Sequence, residues 1–423
     1  MGQAVRAIDA WMAAREDELC ALVSRLVACP SVNHVTWGEE LAVQRLVAEH
    51  MRSIGLEVEE VPLVGLTALS AHPAYRPGRD YRDRPNVVGA LAGTGGGRSL
   101  AFSGHADTVA PGPLPWSSPP HEPTRIGDRL HGLGTLDMKS GLAAALFAVE
   151  AVRELSVELR GDVVVESVVD EEYGGANGTL AGRLVGAGAG ADAAIICEPT
   201  DLAIYPGNAG VGLFRVEFTG MPQGIDGGLR GGEALAVGRH FAGQVGQADW
   251  PRGGVELNWP LAAPVAPFAL AINTPAVAHD RFDRLPSQVT VDLSMPALPG
   301  VDEETLLQAV DALAARAVAD LGAAVAVAVR SVMPVLPSSA VAPDEPILGA
   351  AIRVARDALG VEPSIMTAPW GCDGFMFNLH SPTPAILWGP AGEGAHAPDE
   401  HVLVSSLLAL ARGYARVVLD WCG

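Results

Sequence analysis

Short apolar runs of strand length alternate with helical segments along most of this chain, and no other feature restricts its fold as strongly. Apolar residues recur at helical spacing in residues 5–29 and 39–54, and a third helical segment runs from Lys139 to about Glu154. The strand-like runs in the same region are Asn86–Leu91, Leu100–Ser103, Asp162–Val169 and Ala193–Cys197. Strands that alternate with helices predict an α/β domain whose twisted sheet is mostly parallel.

A glycine-rich link, Gly93-Thr94-Gly95-Gly96-Gly97, joins the first two strand-like runs. No Lys-Ser/Thr pair follows it and no helix opens there, which argues against a phosphate-binding loop. We therefore predict a β-hairpin turn at this link.

The pattern changes near Tyr205 and returns about 130 residues later. The intervening segment contains alternating strand-like runs at Leu213–Phe218 and Val289–Ser294 and an Ala-rich helical pattern at Glu303–Leu321. The α/β pattern resumes with Pro346–Leu359, Ala385–Trp388 and Val402–Leu419. We therefore predict a discontinuous larger domain, residues 1–205 and 333–423, with a smaller α+β domain inserted at 206–332.

Charge and cysteine usage restrict the setting of the protein. Lysine and arginine number 28 against 49 aspartates and glutamates, a net charge of −21. This balance disfavours nucleic acid and anionic membranes as partners, since both require basic patches. The five cysteines are widely spaced, and the sequence shows neither a signal-peptide pattern nor an apolar run of about 18 residues. We therefore expect a cytoplasmic protein without a membrane span.

Acids and histidines follow three of the predicted strands directly. In open α/β sheets ligands bind at the carboxyl ends of the strands, so these side chains are expected to converge. They are His105 and Asp107, then Glu171 and Glu172, then Glu198, and loops just before two helices add Asp137 and His396. Imidazole with carboxylates suits zinc, cobalt or manganese, and the lack of thiolates argues against an iron–sulfur cluster or a purely structural zinc.

These residues stand in an ordered set of motifs that spans about residues 20–412. The motifs are Arg84-Pro85-Asn86-Val87-Val88, Ser103 to Val109, Trp116 with Pro119-Pro120, Gly132 to Gly141, Asp170-Glu171-Glu172, Glu198-Pro199-Thr200, Gly389-Pro390 and His396 to Glu400. In this order they resemble the di-zinc family of acetylornithine deacetylase, succinyl-diaminopimelate desuccinylase, aminoacylase and carboxypeptidase G.

The resemblance implies a role for each matching residue. Asp137 would bridge two divalent ions, with zinc favoured and cobalt or manganese left open. His105 and Glu198 would complete one ion, and Glu172 and His396 the other. Glu171 would act as general base on the water that bridges the metals, and Asp107 would fix the orientation of the His105 ring.

The chain departs from the family pattern in the inserted segment. Gly224 stands where the family has a histidine that supports the oxyanion, and Glu233 and Asp283 replace two asparagines. An Asp-Ala/Gly-Arg pattern in the later segment becomes Asp373-Gly374-Phe375. Either another residue such as Arg230 substitutes for the missing groups, or the substrate lacks the usual α-carboxylate. The expected substrate contacts are Trp370, Asp373, Phe375 and Arg230.

The function that the resemblance implies is a zinc-dependent hydrolase. It would cleave the amide bond of a small N-acyl amino acid or a related compound, as a deacylase. A dipeptidase or carboxypeptidase on the same scaffold is left open, as is a homologue with non-hydrolytic or non-catalytic function. The inserted domain would act as a lid or dimerisation domain, and a homodimer is left open.

Overall fold

The structure is a computed structural model that describes residues 2–221, 223–224, 233–254, 257–274, 284–360 and 362–423. The described residues form two compact units. The larger contains Met1–Gly207, Ala340–Thr367 and Asp373–Gly423, and the smaller contains Asn208–Ser339 and Ala368–Cys372. Trp370 thus belongs to the smaller unit, whereas Asp373 and Phe375 belong to the larger one.

The larger unit is built around a nine-stranded sheet of the described residues. Across the sheet the strands are Glu57–Val61, Asn86–Leu91, Val163–Val168, Leu100–His105, Ala193–Ile196, Ala385–Trp388, Ile204–Asn208 and Ser339–Ala340, with Ile365–Ala368 beside Ile204–Asn208. The four central strands, from Val163–Val168 to Ala385–Trp388, run parallel, and the strands that flank them are antiparallel. A second sheet is formed by Thr124–Ile126, Arg129–His131, Gly392–Glu393 and His401–Leu403.

Helices accompany the central sheet in the larger unit. They are Gly2–Ala13, Glu16–Val27, Leu41–Ser53, Thr67–Ser70, Ser140–Glu154, Asn177–Leu184, Pro346–Leu359, Gly374–His380 and Val404–Cys422. Ser140–Glu154 is buried on nearly every side and packs against Val404–Cys422 and the strand Leu100–His105. Its Ala-rich sequence allows this close packing, and the helix leads directly away from Asp137.

The described residues of the smaller unit form an antiparallel sheet of four strands in the order Phe268–Asn273, Gln288–Ala297, Gly210–Thr219 and Ala326–Leu336. Helices Glu233–Val245 and Glu303–Leu321 pack on one face, where every second strand residue is buried. The second helix begins at a true cap, because Asp302 accepts the Thr305 backbone N–H at 2.9 Å, and it ends at Gly322 with φ 57°. Two short strands, Gln223–Gly224 and Arg284–Leu285, pair separately.

The predicted fold class, an α/β domain with a smaller inserted α+β domain, is confirmed. Among the helices described, none is long and apolar enough to cross a membrane.

The predicted hairpin between Asn86–Leu91 and Leu100–His105 is wrong. The strand Val163–Val168 lies between them, antiparallel to the first and parallel to the second. The glycines of the link instead allow close approach to another segment, because a Cβ on Gly93 would lie 2.5 Å from the Gly161 carbonyl oxygen. The backbone there has no room for a side chain.

The first helical segment also differs from the prediction. It is divided into Gly2–Ala13 and Glu16–Val27, although apolar spacing continues across the division. Three acids, Glu16 to Glu18, occupy the first turn of the second helix, where they interact favourably with the helix dipole. They favour a new helix start at this point.

Candidate metal centre

Three neighbouring parallel strands bring the predicted ligands together at one edge of the central sheet. His105 is the last residue of Leu100–His105, Glu172 follows Val163–Val168, and Glu198 follows Ala193–Ile196. The first of these strands pairs with both of the others. Their carboxyl ends therefore meet, as the sequence predicts.

Two groups of ligand-type side chains share Asp137. One contains His105, Asp137 and Glu198, and the other contains Asp137, Glu172 and His396; within each group the ligand atoms lie within 4.8 Å of one another. His105 Nε2 lies 3.0 Å from Asp137 Oδ1 and 3.8 Å from a Glu198 oxygen. His396 Nε2 lies 3.2 Å from Asp137 Oδ2 and 3.3 Å from Glu172. The two oxygens of Asp137 thus face different histidines.

The ring of His105 is oriented by a backbone group. Its Nδ1 lies 2.9 Å from the carbonyl oxygen of Asp107, which requires the proton on Nδ1 and leaves Nε2 as a lone-pair donor. The Asp107 carboxylate instead accepts the backbone N–H groups of Glu171 at 3.2 Å and Glu172 at 3.0 Å. Asp107 therefore contacts His105 through its backbone carbonyl, and the loop that carries Glu171 and Glu172 through its carboxylate.

Glu171 lies beside the centre without belonging to either ligand group. Its carboxylate is 3.9 Å from His105 Nε2 and accepts no hydrogen bond from the described residues. Burial raises its pKa well above the usual value, and the nearby charges of Asp373 and Glu198 raise it further. The carboxylate is thus positioned to hold a proton.

The charges of this cluster fit divalent cations. Burial and the Asp137 charge raise the pKa of Glu198 well above its usual value, and burial likewise raises the pKa of Glu172. Hydrogen bonds to Asp137 and Glu172 raise the pKa of His396 to about 11. Buried carboxylates at such density are unfavourable unless cations neutralise them. The nitrogen and oxygen donor set suits zinc, cobalt or manganese.

Glu400, the last residue of the motif His396 to Glu400, has a structural role that the motif does not predict. Its carboxylate accepts the backbone N–H groups of Gly134 at 2.9 Å, Leu136 at 2.8 Å and Asp137 at 3.0 Å. It thereby fixes the loop that presents the shared aspartate. No spacing in the sequence signals this role, because the partners are main-chain groups more than 260 residues away.

The structure describes three of the four predicted substrate residues. Asp373 is buried in the larger unit, accepts a hydrogen bond from Thr179 Oγ1, and has a pKa raised to about 7 by burial. Phe375 is only 2% exposed, and its ring packs against Arg76 and His380. Trp370 is half-buried in the smaller unit. Arg230 lies outside the described residues, so the four substrate contacts remain predictions.

A mostly parallel sheet with two overlapping His/carboxylate groups at its carboxyl edge defines the class, an α/β protein with a candidate dinuclear metal centre. The chain belongs to peptidase family M20/M25/M40, whose sequence model matches residues 101–420. The family predicted from the motifs is confirmed.

Two curated relatives match part of the chain. It is 41% identical over 134 residues to N-formyl-4-amino-5-aminomethyl-2-methylpyrimidine deformylase of Bacillus subtilis (strain 168), covering 31% of this chain and 30% of that protein. It is 33% identical over 186 residues to succinyl-diaminopimelate desuccinylase of Burkholderia orbicola (strain MC0-3), covering 43% of this chain and 44% of that protein. The matches therefore span less than half the length of these relatives.

A solved structure with a similar fold is that of human carnosine dipeptidase 1. Its TM-score is 0.77 over 99% of this chain and 98% of that chain, at 16% sequence identity. A likeness at this level of identity shows a shared fold alone.

Proposed function

We propose that this chain is a two-metal amidohydrolase that cleaves the amide bond of a small N-acyl amino acid or a related compound. The observation that carries the proposal is the position of Glu171. Its carboxylate lies 3.9 Å from a candidate ligand nitrogen yet belongs to neither ligand group. A largely buried carboxylate that stands outside both ligand groups has an evident use as a general base.

Two divalent ions are part of the proposal, zinc first and cobalt or manganese as alternatives. His105, Asp137 and Glu198 would hold one ion, and Asp137, Glu172 and His396 the other. When bound, such a pair supplies Lewis acidity at the amide carbonyl and lowers the pKa of a water towards neutrality.

The chain's own residues would move the proton. Glu171 takes a proton from the attacking water and delivers it to the nitrogen of the leaving amine. In the metal-free chain, burial and the Asp373 charge raise the pKa of Glu171, so the protonated form of its carboxyl group is accessible. Asp107 keeps the backbone of Glu171 and Glu172 in place during both transfers.

Deacylation is favoured over peptide cleavage. The two curated relatives are a deformylase and a desuccinylase, and both names describe removal of an acyl group. Dipeptides and peptides with a free carboxyl terminus are the alternative substrates.

Gly224 supports a second candidate function. The resemblance implies a histidine there as an oxyanion donor, and loss of such a donor costs about 2.7–4 kcal/mol of barrier lowering. A homologue that keeps the metals but has non-hydrolytic or no catalytic function would explain the change.

The proposal extends to the setting of the enzyme. The five cysteines are free, which suits a reducing compartment such as the cytoplasm. The smaller unit would serve as a lid or dimerisation domain, and the partner would then be a second copy of this chain.

The test combines metal content with hydrolysis. The purified protein and its Glu171→Gln variant are reconstituted with Zn²⁺ or Co²⁺ and offered N-acyl amino acids, their amides and dipeptides. We expect about two metals per chain in both, and a kcat about 10²–10⁴-fold lower in the variant. The exposed Glu158→Gln serves as the control, with unchanged kcat.

Each contrary outcome has a distinct meaning. Two metals without turnover of any amide would favour the second candidate function. A chain that takes up no metal after reconstitution would refute the site itself.

A further inference from the structure

Asn33 lies buried against the loop that carries Glu171 and Glu172. Its Nδ2 is 2.9 Å from Asp107 Oδ2, 3.2 Å from Asp170 Oδ1 and 3.2 Å from the Glu172 carbonyl oxygen. The two hydrogens of the Asn33 amide are therefore shared among three acceptors. Two of these belong to the loop, and the third is the Asp107 carboxylate, which contacts the loop backbone.

The orientation of the Asn33 amide is fixed from the opposite side. Its Oδ1 accepts the backbone N–H of Val35 at 2.8 Å. An oxygen must face this N–H, so the NH₂ end must face the carboxylates. Val35 has φ 70°, which is unusual for a β-branched residue.

The amide separates two buried carboxylates. Asp107 holds the backbone N–H groups of Glu171 and Glu172. Asp170 accepts hydrogen bonds from Tyr81 at 2.5 Å and Arg79 at 2.6 Å. Both carboxylates are 0% exposed, so they would repel each other across the gap that Asn33 fills.

The loop itself needs such external support. Asp170 has φ 64° and Tyr173 has φ 57°, so left-handed residues other than glycine stand on both sides of Glu171 and Glu172. Such a conformation is unfavourable for a residue other than glycine and persists only where surrounding contacts enforce it. The contacts of Asp107, Asp170 and Asn33 supply that enforcement.

We infer that Asn33 is a positioning residue for this centre: its amide joins Asp107 to Asp170 and so fixes Glu171 as base and Glu172 as metal ligand. The part that concerns Glu171 rests on the proposed function, whereas the part that concerns Glu172 depends on metal binding alone. An amide is required at this position because a carboxylate would place an acceptor against three acceptors.

The experiment compares Asn33→Asp and Asn33→Ser with the wild type. Co²⁺ is titrated into the metal-free full chain while its visible absorption is followed, and kcat, KM and Tm are measured separately. For Asn33→Asp we expect the second Co²⁺ to bind about 10–100-fold more weakly and kcat to fall about 10²-fold, with KM within about threefold. Asn33→Ser retains one donor, so its losses should be smaller.

Asn378→Asp is the matched control. The Asn378 amide donates to the Ala385 carbonyl at 3.1 Å and accepts the Ala385 N–H at 2.8 Å, both main-chain contacts of one residue. The same chemical change there should lower Tm while Co²⁺ affinity and kcat stay at the wild-type level.

Three results would overturn the inference. Asn33→Asp could bind both Co²⁺ ions and hydrolyse substrate as the wild type does. Alternatively, only its Tm could fall, as expected for Asn378→Asp. If Asn33→Asp does not fold, Asn33→Ser decides, and wild-type Co²⁺ affinity and kcat in that variant would overturn the inference. If the wild type hydrolyses no amide, the proposed function fails, and the affinity for the second Co²⁺ still decides whether Asn33 positions Glu172.

Discussion

The carboxylate of Glu400 accepts the backbone N–H of Asp137 at 3.0 Å, so the residue shared by both ligand groups is fixed through its main chain. The same carboxylate also accepts the N–H groups of Gly134 and Leu136. A side chain just after His396 thereby holds the loop that presents Asp137. Both ligand groups therefore share Asp137 and the contact that fixes its main chain.

Replacing Glu400 with glutamine should weaken both metal binding and the fold. The amide NH₂ would face at least one backbone N–H, which leaves a buried donor unpaired at a cost of about 1–3 kcal/mol. Urea unfolding and zinc titration measure the two effects. Asp399→Asn is the control, since the Asp399 carboxylate accepts hydrogen bonds from Ser117, which belongs to neither ligand group, and zinc affinity should not change there. Equal zinc affinity in both variants would contradict the role of Glu400.

Removal of the shared ligand should differ from removal of an unshared one. Asp137→Ala takes one ligand from each group, so we expect it to retain almost no zinc after dialysis. His396→Ala affects one group only, so about one zinc per chain should remain. Elemental analysis of the dialysed proteins gives the stoichiometry. Equal stoichiometry in the two variants would argue against a bridging aspartate.

The metal-free protein should lose stability as the pH rises. Burial raises the pKa of Glu40, Asp373 and Glu400 to about 7 in the folded chain, well above the values near 4 of an unfolded chain. The stability that these raised pKa values contribute is fully present below pH 4 and is lost as the pH passes 7. The Tm of the protein, measured in the presence of a metal chelator, should therefore fall as the pH rises from 4.5 to 7.5.

Bound zinc should reverse this trend. Metal ligands bind in their deprotonated forms, so zinc affinity rises with pH and stabilises the folded chain more at higher pH. The difference in Tm between zinc-loaded and chelated protein should thus increase from pH 5 to pH 8. A difference that is constant or shrinks would mean that the titrating ligands do not bind the metal.

Asp373→Asn should flatten the pH dependence of the metal-free protein. Asparagine removes a carboxyl group whose pKa is raised from 3.8 to about 7 by burial. The change in unfolding free energy between pH 4 and 7 should shrink by up to about 4 kcal/mol. Asp357→Asn, at an exposed position, provides the control. If both variants keep the wild-type slope, the buried Asp373 carboxyl does not titrate in this range.

The substrate should not require a free α-carboxylate. Gly224 stands where the resemblance implies a histidine, and Phe375 where it implies an arginine, a residue type that binds carboxylates with two hydrogen bonds. An N-acetyl amino acid and its carboxamide should therefore have kcat/KM values within about tenfold of each other. Strict dependence on the carboxylate would contradict this expectation and favour a substituting arginine.

Much of the fold could be predicted because local signals and tertiary structure agree. Asn86–Leu91, Ala385–Trp388 and Glu303–Leu321 have the predicted bounds, since each is an apolar or capped run whose ends are marked in the sequence. The order of strands could not be predicted from such signals. Which strand lies beside Leu100–His105 depends on a segment some 60 residues later in the chain. In the sequence, glycines that allow close approach of another backbone segment also look the same as glycines that form a turn.

The candidate ligands could be found because strand ends and motif order indicate them. The supporting contacts could not, since Asn33 and Glu400 act on main-chain groups and carboxylates that only the folded chain brings near. The role of Asp107 could be predicted only in part. The sequence predicts its contact with His105, whereas its hydrogen bonds with the backbone of Glu171 and Glu172 depend on the conformation of Asp170 and Tyr173.

The division of the larger unit into separate segments has a consequence for synthesis. His105, Asp137, Glu172 and Glu198 all precede the smaller unit in the chain, whereas His396 and Glu400 follow it. A ribosome therefore releases one complete candidate ligand group long before the other exists. The nascent chain would carry an unfinished acidic cluster until the segment after the smaller unit has emerged, and binding of two metal ions at this candidate centre would have to follow that step.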